Sequence, residues 1–463
     1  MAEKMTRRTF MKSAAAAAAA ISLSGVLTGC GSGLAQDEVQ IGAFTAKVYN
    51  AKAFWVGGTG TNSSNYITAT ARLTLDTKNS TFVSQQYQGM FVGTIGDSAL
   101  STNAPTITDS VWTKSKVIET IKKVNDYWQA ENPEPAFAFW HPAAYHTGNI
   151  AAYEVTGNET YKKYSEAWAE KNQWKGATSD DKSKWKYNYG ETMEHVLFGD
   201  WQICFQTYID LYNMDREPAE YKIARAKEVM EYEMSTPNND YWWWADGLYM
   251  VMPVMTKLYK VTDNQQYLDK LYEYFTYAKN LMYDEESALF YRDGKYIYPK
   301  HKTNQGLKDF WSRGNGWVFA GLAKVLQDLP ENDVHRAEYI TIYQAMAKSL
   351  AAAQQEEGYW TRSLLDPVQA PGRETSGTAF FTYGYLWGVN NGLLDKSIYE
   401  PVIKQGWKYL TEIALQPNGK IGYVQPIGER ADQHKNVGPE TTADFGVGAF
   451  LLAGSEMVKY LNN

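Results

Sequence analysis

The chain of 463 residues is poor in the side chains that bind metals or form cross-links, with 2 cysteines and 6 histidines. It contains no His-x-x-x-His pair and no calcium-loop pattern of acidic residues, so we expect no metal and no other cofactor. A Gly-x-Ser-x-Gly elbow, a phosphate-binding loop and a dinucleotide fingerprint are also missing. Hydrolase-fold, nucleotide-dependent and dinucleotide redox functions are therefore excluded.

Positive charge is in deficit as well. Lysine and arginine number 45 against 52 aspartates and glutamates, so the formal net charge is −7 and we expect no nucleic-acid partner. Aromatic residues, by contrast, are abundant, with 16 tryptophans and 34 tyrosines. Because tryptophan faces stack on sugar rings, this excess directs attention to carbohydrate ligands.

Residues 1–30 have the features of an export signal and are not expected to belong to the fold. A twin-arginine segment, residues 6–12, is followed by an alanine-rich apolar run, residues 13–26, which is too short for a good membrane-spanning helix. Residues 27–30 (LTGC) resemble a bacterial lipobox, so Cys30 is predicted to be the lipidated first residue of the mature protein. We therefore predict an exported bacterial protein that is attached to a membrane by a lipid, in the periplasm or at the cell surface.

Residues 31–112 are predicted to be a tether followed by a small irregular or β-rich extension. They are rich in Thr, Ser, Gly and Asn, and residues 66–75 alternate as a strand does. Residues 113–463 have a helical texture and form the predicted catalytic domain. Once Cys30 is lipidated, Cys204 is the only thiol left, so no internal disulfide can form and Cys204 is expected to be buried.

The helical part reads as about six helical hairpins. Residues 153–161 (YEVTGNETY) are echoed by residues 259–267 (YKVTDNQQY), and in each an amphipathic helix ends at a turn from which the next helix starts. Similar breaks fall near residues 210–217, 329–333 and 390–395. Such hairpins can stack as an open solenoid or close into a ring. Aromatic, glycine-rich segments at alternate junctions favour the ring, an all-α (α/α)6 barrel with one pocket at its mouth.

Two carboxylates are candidates for acid–base chemistry. Asp246 follows three tryptophans in residues 241–250 (YWWWADGLYM), at the start of a predicted helix. It is either a helix cap, or an acid whose pKa is raised by apolar walls. Asp200 lies in an apolar surround and has the same two interpretations. Together they would provide the pair of carboxylates that glycan hydrolysis requires.

Residues 310–317 (FWSRGNGW) place Arg313 between Trp311 and Trp317. Arg313 could pair with a substrate carboxylate while the tryptophans stack on sugars, or it could be a buried arginine between core aromatics. Both interpretations stay open on the sequence alone.

Two further segments each have a functional and a structural interpretation. His141 and His146, in residues 140–149, are either substrate hydrogen-bonders or satisfied core residues. Residues 373–378 (RETSGT) open another helix, where they either line a pocket or cap the helix.

Three motifs together resemble a known family. Residues 244–250 (WADGLYM), residues 310–317 and residues 374–377 (ETSG) are similar, in order and spacing, to the unsaturated rhamnogalacturonyl hydrolases of glycoside hydrolase family 105, which is close to family 88. The resemblance covers roughly residues 115–460. It implies an (α/α)6 barrel that hydrates a 4,5-unsaturated uronate: a carboxylic acid protonates carbon 4, water adds at carbon 5, and the resulting hemiketal collapses to release the next sugar.

The resemblance also assigns roles to residues. Asp246 matches the family's general acid and base, and Asp200 matches a second aspartate, although the usual Asp-Asp pair is incomplete because Gly199 precedes it. Arg313 is the expected partner of the uronate carboxylate, and Arg292 stands in a segment where relatives can carry a histidine. The predicted substrate-binding residues are Tyr145, His146, Trp244, Met250, Arg292, Trp311, Arg313 and Trp317.

The predicted substrate is therefore an oligosaccharide that ends in an unsaturated uronate, with rhamnogalacturonan as the favoured source. One alternative is a glucuronidase that acts on saturated uronides and needs two well-placed carboxylates. The other is a lipid-anchored protein that binds glycans without turning them over.

Overall fold

The computed structural model describes residues 38–41, 44–50, 53–56, 65–68, 112–434 and 436–462. The predicted export signal with Cys30, and most of the predicted extension, lie outside these residues. The chain divides into two compact units, Met1–Val111 and Trp112–Asn463.

The described part of the first unit is a small antiparallel sheet. Its strands follow one another in chain order, with Glu38 opposite Lys47 and Phe54 opposite Ile67. They are β1 (Glu38–Ile41), β2 (Phe44–Asn50), β3 (Ala53–Val56) and β4 (Asn65–Thr68). The predicted β-rich extension is confirmed for these residues, whereas residues 69–75 of the predicted strand lie outside them.

In residues 112–434 and 436–462 the second unit has twelve helices, one of them interrupted at Ile203. A short hairpin of β5 (Tyr283–Asp284) and β6 (Leu289–Phe290) follows the helix that ends at Met282. The helices are α1 (Lys114–Glu131), α2 (Trp140–Thr156), α3 (Glu159–Lys171), α4 (Gly199–Gln202) with α5 (Cys204–Met214), α6 (Tyr221–Ser235), α7 (Ala245–Thr262), α8 (Gln266–Met282), α9 (Ser312–Asp328), α10 (Arg336–Ala353), α11 (Thr375–Asn390), α12 (Lys396–Tyr409) and α13 (Asp444–Tyr460).

Alternate helices form a closed inner ring. Each of α2, α4–α5, α7, α9, α11 and α13 packs against the next, and α13 packs against α2. The other helices lie outside, each against an inner helix. This closure confirms the predicted (α/α)6 barrel and excludes the open solenoid.

The contact that closes the ring depends on glycine. A Cβ atom on Gly148 of α2 would lie 2.1 Å from the carbonyl oxygen of Gly448 of α13. A Cβ atom on Gly448 would lie 2.4 Å from the carbonyl oxygen of Ala144. The backbones of the first and last inner helices therefore touch directly, which no larger residue permits.

Short turns join each inner helix to the outer helix that follows it. In the two repeated turns, Gly157 and Asp263 adopt left-handed conformations, with φ of 63° and 54°, and end α2 and α7. The side chains of Asn158 and Asn264 then each accept a hydrogen bond of 3.1 Å from the N–H two residues on. The long connections lie at the other end of the barrel, where all six inner helices begin.

Replacing Gly148 by alanine should destabilise the barrel, because the added methyl group forces α2 and α13 apart. We expect the free energy of unfolding to fall by roughly 1–3 kcal/mol, measured by urea denaturation. Gly438→Ala is the matched control, since a Cβ atom there has no neighbour within 4 Å. An equal loss in both variants would contradict a special role for the α2–α13 contact.

Candidate active site

The first turns of the inner helices bring charged groups together at one end of the barrel. Free N–H groups and the helix dipoles favour negative charge at this end. The helix starts there carry His141, Asp200, Asp246, Arg313, Glu374 and Asp444.

Asp246 is positioned by a short backbone bridge at the start of α7. Trp244, the residue before this helix, pairs with Asp293, and the Ala245 N–H donates to the carbonyl oxygen of Arg292 at 2.7 Å. The Trp244 ring lies close over Gly247, where a Cβ atom would be 3.2 Å away. This bridge places the Arg292 side chain beside Asp246.

The Asp246 carboxyl is buried and only partly satisfied. Its Oδ2 has no hydrogen-bond partner and lies 3.6 Å from Nε of Arg292, which also has none. Burial raises the pKa of Asp246, while the positive charges of Arg292 and Arg313 oppose the rise. About 12% of the whole side chain is exposed, whereas the unpartnered Oδ2 is itself buried.

Asp200 shares this environment. Burial, and then the nearby charge of Asp246, raise the pKa of Asp200 well above its ordinary value, and Arg292 opposes the rise. Because each carboxylate disfavours ionisation of the other in a buried site, the pair retains a proton at a pH where isolated aspartates are ionised. The two predicted acidic residues are therefore brought together.

Arg292 faces Asp246 with a partly free guanidinium group. Its Nη1 donates to Oδ2 of Asp293 at 2.7 Å and lies 3.6 Å from Oε2 of Glu429. The guanidinium carbon lies 6.0 Å from the centre of the Trp243 ring. These contacts fix the orientation of the Arg292 side chain. Its Nε, which has no hydrogen-bond partner, places a positive charge next to Asp246.

Arg313 is held by protein groups on several sides. Its Nη1 donates to the carbonyl oxygen of Gln425 at 2.6 Å, and its Nη2 donates to that of Pro426 at 2.8 Å. Its guanidinium carbon lies 4.6 Å from the ring centres of both Trp311 and Phe445. Burial lowers the pKa of Arg313 to about 10. This is the arrangement of a buried arginine stacked between aromatic rings, the structural interpretation of this motif.

Glu374 acts as the cap of α11. Its two carboxylate oxygens accept hydrogen bonds from the N–H groups of Ser376, Gly377 and Gln425 at 2.9, 2.8 and 3.1 Å. Ser376 Oγ donates to it as well. Of the two interpretations of residues 373–378, the structure supports the one in which these residues cap the helix.

Four predicted substrate contacts lie beneath the pocket. The exposed fractions of Trp244, Met250, Trp311 and Trp317 are 1%, 1%, 3% and 0%. Trp317 packs against Tyr249 and other rings of the core. The direct contact of these side chains with a sugar stays a prediction.

Tyr145 and His146 are not brought to the site, which corrects the expectation for both. Tyr145 donates its hydroxyl hydrogen to Oδ1 of Asn125 on α1 at 2.7 Å. His146 Nδ1 lies 2.9 Å from Oγ of Ser165 on α3, and its ring stacks on Trp168 with centres 3.9 Å apart. Both residues stand on the side of α2 that faces the outer helices, so they are satisfied core residues.

One pair at the site was missed by sequence reasoning. His141 Nδ1 lies 2.6 Å from Oδ2 of Asp444, and the two side chains are 23% and 18% exposed. His141 was a candidate by itself, but Asp444 stands 303 positions later and belongs to no recognised motif. A helix-start aspartate in the last inner helix was the only signal available.

Gln202, on the same helix as Asp200, forms a buried amide–carboxyl pair with Glu233. Gln202 Nε2 donates to Oε2 of Glu233 at 2.8 Å, whereas Oε1 of each residue is buried without a partner. Burial raises the pKa of Glu233 to about 8. A protonated Glu233 supplies a hydrogen to this pair, and an ionised one leaves two acceptors without a donor.

The stability of the protein should therefore fall as the pH rises from 4.5 to about 8. In this range Glu233 is ionised in the unfolded chain but protonated in the folded one, so folding takes up a proton. The loss should reach about 1.4 kcal/mol per pH unit at most. Glu233→Gln cannot ionise and should not show this part of the loss in denaturant titrations across the range.

The control for this titration is Glu286→Gln, because the Glu286 side chain is 86% exposed. It should follow the wild-type pH dependence. If Glu233→Gln follows it as well, Glu233 is not the group responsible.

Within residues 112–434 and 436–462 and the strands β1–β4, no three His, Cys, Asp or Glu side chains are grouped as a metal site would need. No helix among them is both long and apolar enough to cross a membrane.

Comparison with known proteins agrees with the fold. The model of glycosyl hydrolase family 88 matches residues 112–461, and that of the twin-arginine translocation signal matches residues 4–24. The unsaturated 3S-rhamnoglycuronyl hydrolase of Formosa agariphila is 32% identical, over 72% of this chain and 88% of that protein.

Two solved structures are more similar still. A glycosyl hydrolase family 88 protein from Bacteroides vulgatus is 57% identical, with a TM-score of 0.74 over 75% of this chain and 100% of that one. A protein described as a polysaccharide lyase is 64% identical, with a TM-score of 0.74 over 76% of this chain and 98% of that one.

The barrel and its acidic pocket thus define an (α/α)6 carbohydrate-active enzyme. The chain belongs to glycosyl hydrolase family 88, which confirms the predicted family and enzyme class. The twin-arginine signal likewise confirms the predicted export across the cytoplasmic membrane.

Proposed function

We propose that this enzyme releases a 4,5-unsaturated uronate from the non-reducing end of oligosaccharides made by a polysaccharide lyase. The observation that carries the proposal is the buried Asp246 carboxyl, with a raised pKa and an unpartnered oxygen in a pocket that also holds Arg292. The name of the Formosa agariphila relative supports a uronate joined to rhamnose. Fragments of a rhamnose-containing uronate polysaccharide, such as rhamnogalacturonan, are the substrates we favour.

In the proposed reaction Asp246 acts first as an acid and then as a base. Its proton goes to carbon 4 of the enol ether, and water adds at carbon 5. The ionised carboxylate then takes a proton from that water, so Asp246 ends the reaction protonated as it began. The hemiketal formed at carbon 5 opens, and carbon 1 releases the next sugar.

Arg292 is the proposed partner of the substrate carboxylate. The Nη groups of Arg313 donate to the carbonyl oxygens of Gln425 and Pro426. Nε is without a hydrogen-bond partner in both arginines, but that of Arg292 lies 3.6 Å from Oδ2 of Asp246. A carboxylate on carbon 5 that contacts Arg292 would place carbon 4 near the acid. Arg313 then contributes its charge through the pocket rather than by a direct bidentate contact.

A second reaction, β-elimination, is favoured by the 64% identical protein described as a polysaccharide lyase. In elimination a base removes the proton from carbon 5 of a saturated uronate, the electron pair forms the carbon 4–carbon 5 double bond, and the oxygen on carbon 4 leaves with a proton. The protonated carboxyl of Asp246 could supply that proton. His141, oriented by Asp444 at 2.6 Å, could remove the proton from carbon 5.

Ultraviolet absorbance distinguishes the two reactions, because the conjugated enol-ether carboxylate absorbs and its hydration product does not. With lyase-generated unsaturated oligosaccharides we expect the absorbance to fall. Asp246→Asn should lower the rate roughly 10²–10⁴-fold, since asparagine cannot donate the proton. Asp395→Asn is the matched control: Asp395 caps α12 by accepting from the Ser397 N–H at 2.8 Å, and its loss should leave the rate unchanged.

Each other result has a definite meaning. A rise in absorbance with a saturated rhamnose–uronate glycan would establish elimination. No change with either substrate, together with release of a saturated uronate, would establish a glucuronidase. Binding without any product would establish a glycan-binding protein, and full activity in Asp246→Asn would remove Asp246 as the acid.

Removing the charge of Arg292 should change the pH dependence of the reaction. Arg292 opposes the rise in the pKa of Asp246, so Arg292→Gln should raise that pKa and move the alkaline limb of kcat to higher pH. KM should rise as well if Arg292 binds the substrate carboxylate.

Lys295→Gln is the matched control for this variant, because Lys295 also contacts Glu429, at 3.1 Å, but its side chain is 63% exposed. Lys295→Gln should change neither the alkaline limb of the pH dependence of kcat nor KM. An unshifted limb in Arg292→Gln would show that the proton donor is not beside Arg292.

We further propose that the exported enzyme is held at a membrane by a lipid on Cys30. The support is the order of the signals, since the lipobox-like residues 27–30 begin three positions after the end of the matched translocation signal at residue 24. A lipid there would keep the barrel outside the cytoplasm.

A further inference from the structure

A shallow groove of aromatic residues lies beside the active site. It is formed by the connection between α3 and α4 together with Trp243, which precedes Trp244 at the start of α7. Its lining residues, called here the aromatic groove, are Trp185, Lys186, Tyr187, Asn188, Tyr189 and Trp243.

Hydrogen bonds hold this connection in a defined shape. The Lys186 N–H donates to the carbonyl oxygen of Glu194 at 2.9 Å, and the Leu197 N–H donates to that of Lys186 at 3.1 Å. The Trp185 indole N–H donates to the carbonyl oxygen of Ser179 at 2.9 Å. The groove is therefore built in advance of any ligand.

The exposed part of the groove presents rings with polar edges. The Tyr189 side chain is 60% exposed, and its hydroxyl donates to Oε1 of Glu191 at 3.0 Å. Tyr187 and Trp243 are partly exposed, and Asn188 is exposed between the two tyrosines. Ring faces beside hydrogen-bonding groups suit a sugar, which has apolar faces and a polar rim.

The groove lies next to the charged groups of the active site. Phe198 lies behind it, with its ring centre 5.7 Å from that of Tyr189 and 4.9 Å from that of Trp244. Arg292 lies 6.0 Å from the centre of the Trp243 ring and 3.6 Å from Asp246. A chain that begins in the pocket can therefore continue along these rings.

We propose that the aromatic groove binds the sugars that follow the uronate, so that the substrate is an oligosaccharide longer than a disaccharide. This inference rests on the proposed function, because it takes the pocket to hold the terminal uronate. The exposed ring of Tyr189 is the outer stacking surface and determines the preference for chain length.

The test compares KM for an unsaturated disaccharide and for a longer unsaturated oligosaccharide with the same terminal sugars. Tyr189→Ala should raise KM for the longer substrate roughly three- to tenfold and leave the disaccharide and kcat unchanged. Tyr189→Phe keeps the ring and should behave as wild type. Tyr221→Ala is the matched control, since Tyr221 is 57% exposed and donates to Glu170 but lies on the outer helix α6.

An equal effect of Tyr189→Ala on both substrates, or none on either, would overturn the groove proposal while leaving the catalytic one intact. If wild type transforms no unsaturated substrate, the catalytic proposal fails by itself. The groove is then decided by binding, measured calorimetrically with the same oligosaccharides: loss of affinity for the longer one in Tyr189→Ala supports the groove, and unchanged affinity overturns it.

Discussion

The six inner helices of the barrel all run in the same direction. This common direction determines which partial charge of the helix dipoles is found at each end of the barrel. Their N-termini, with free N–H groups, meet where the long connections lie, and Asp200, Asp246 and Asp444 occupy first turns there. Their C-terminal halves line a cavity of about 320 Å³ at the other end, where Lys257 and Lys324 are found. One end of the fold is thereby suited to anionic groups, including the carboxylate of a uronate.

Burial and the helix dipole act on these carboxyls in opposite directions, and the local contacts decide the outcome. Glu374 accepts four hydrogen bonds at the start of α11 and is fully used as a cap. Asp246 lies in the first turn of its helix, two residues after the N-cap position, where its Oδ2 has no partner and burial raises its pKa. A carboxyl that caps a helix and a carboxyl that acts as an acid therefore differ in whether the protein donates hydrogen bonds to both oxygens. Because the position in the sequence does not reveal these hydrogen bonds, both interpretations of Asp246 were open from its position alone.

The parts of the structure that were predictable are those encoded locally. The turn pattern at residues 153–161 and 259–267 specifies where helices end. The bridge that positions Asp246 is not encoded locally, because it pairs Trp244 with Asp293. Contacts between distant segments were not predictable. Arg313 is held by Gln425, which is 112 positions away, and the inward or outward direction of Tyr145 depends on how α2 is rotated against α1.

The aromatic excess of the sequence has one physical explanation in this pocket. Burial away from water raises the pKa of a carboxyl, but the same exclusion of water is costly for the two arginines beside it. Aromatic rings meet both demands, since they are apolar and their faces attract cations. Arg313 lies between Trp311 and Phe445, and Arg292 lies over Trp243. The rings thus allow a protonated acid and positive charges to share one buried site, which is the condition for acid chemistry on an anionic sugar.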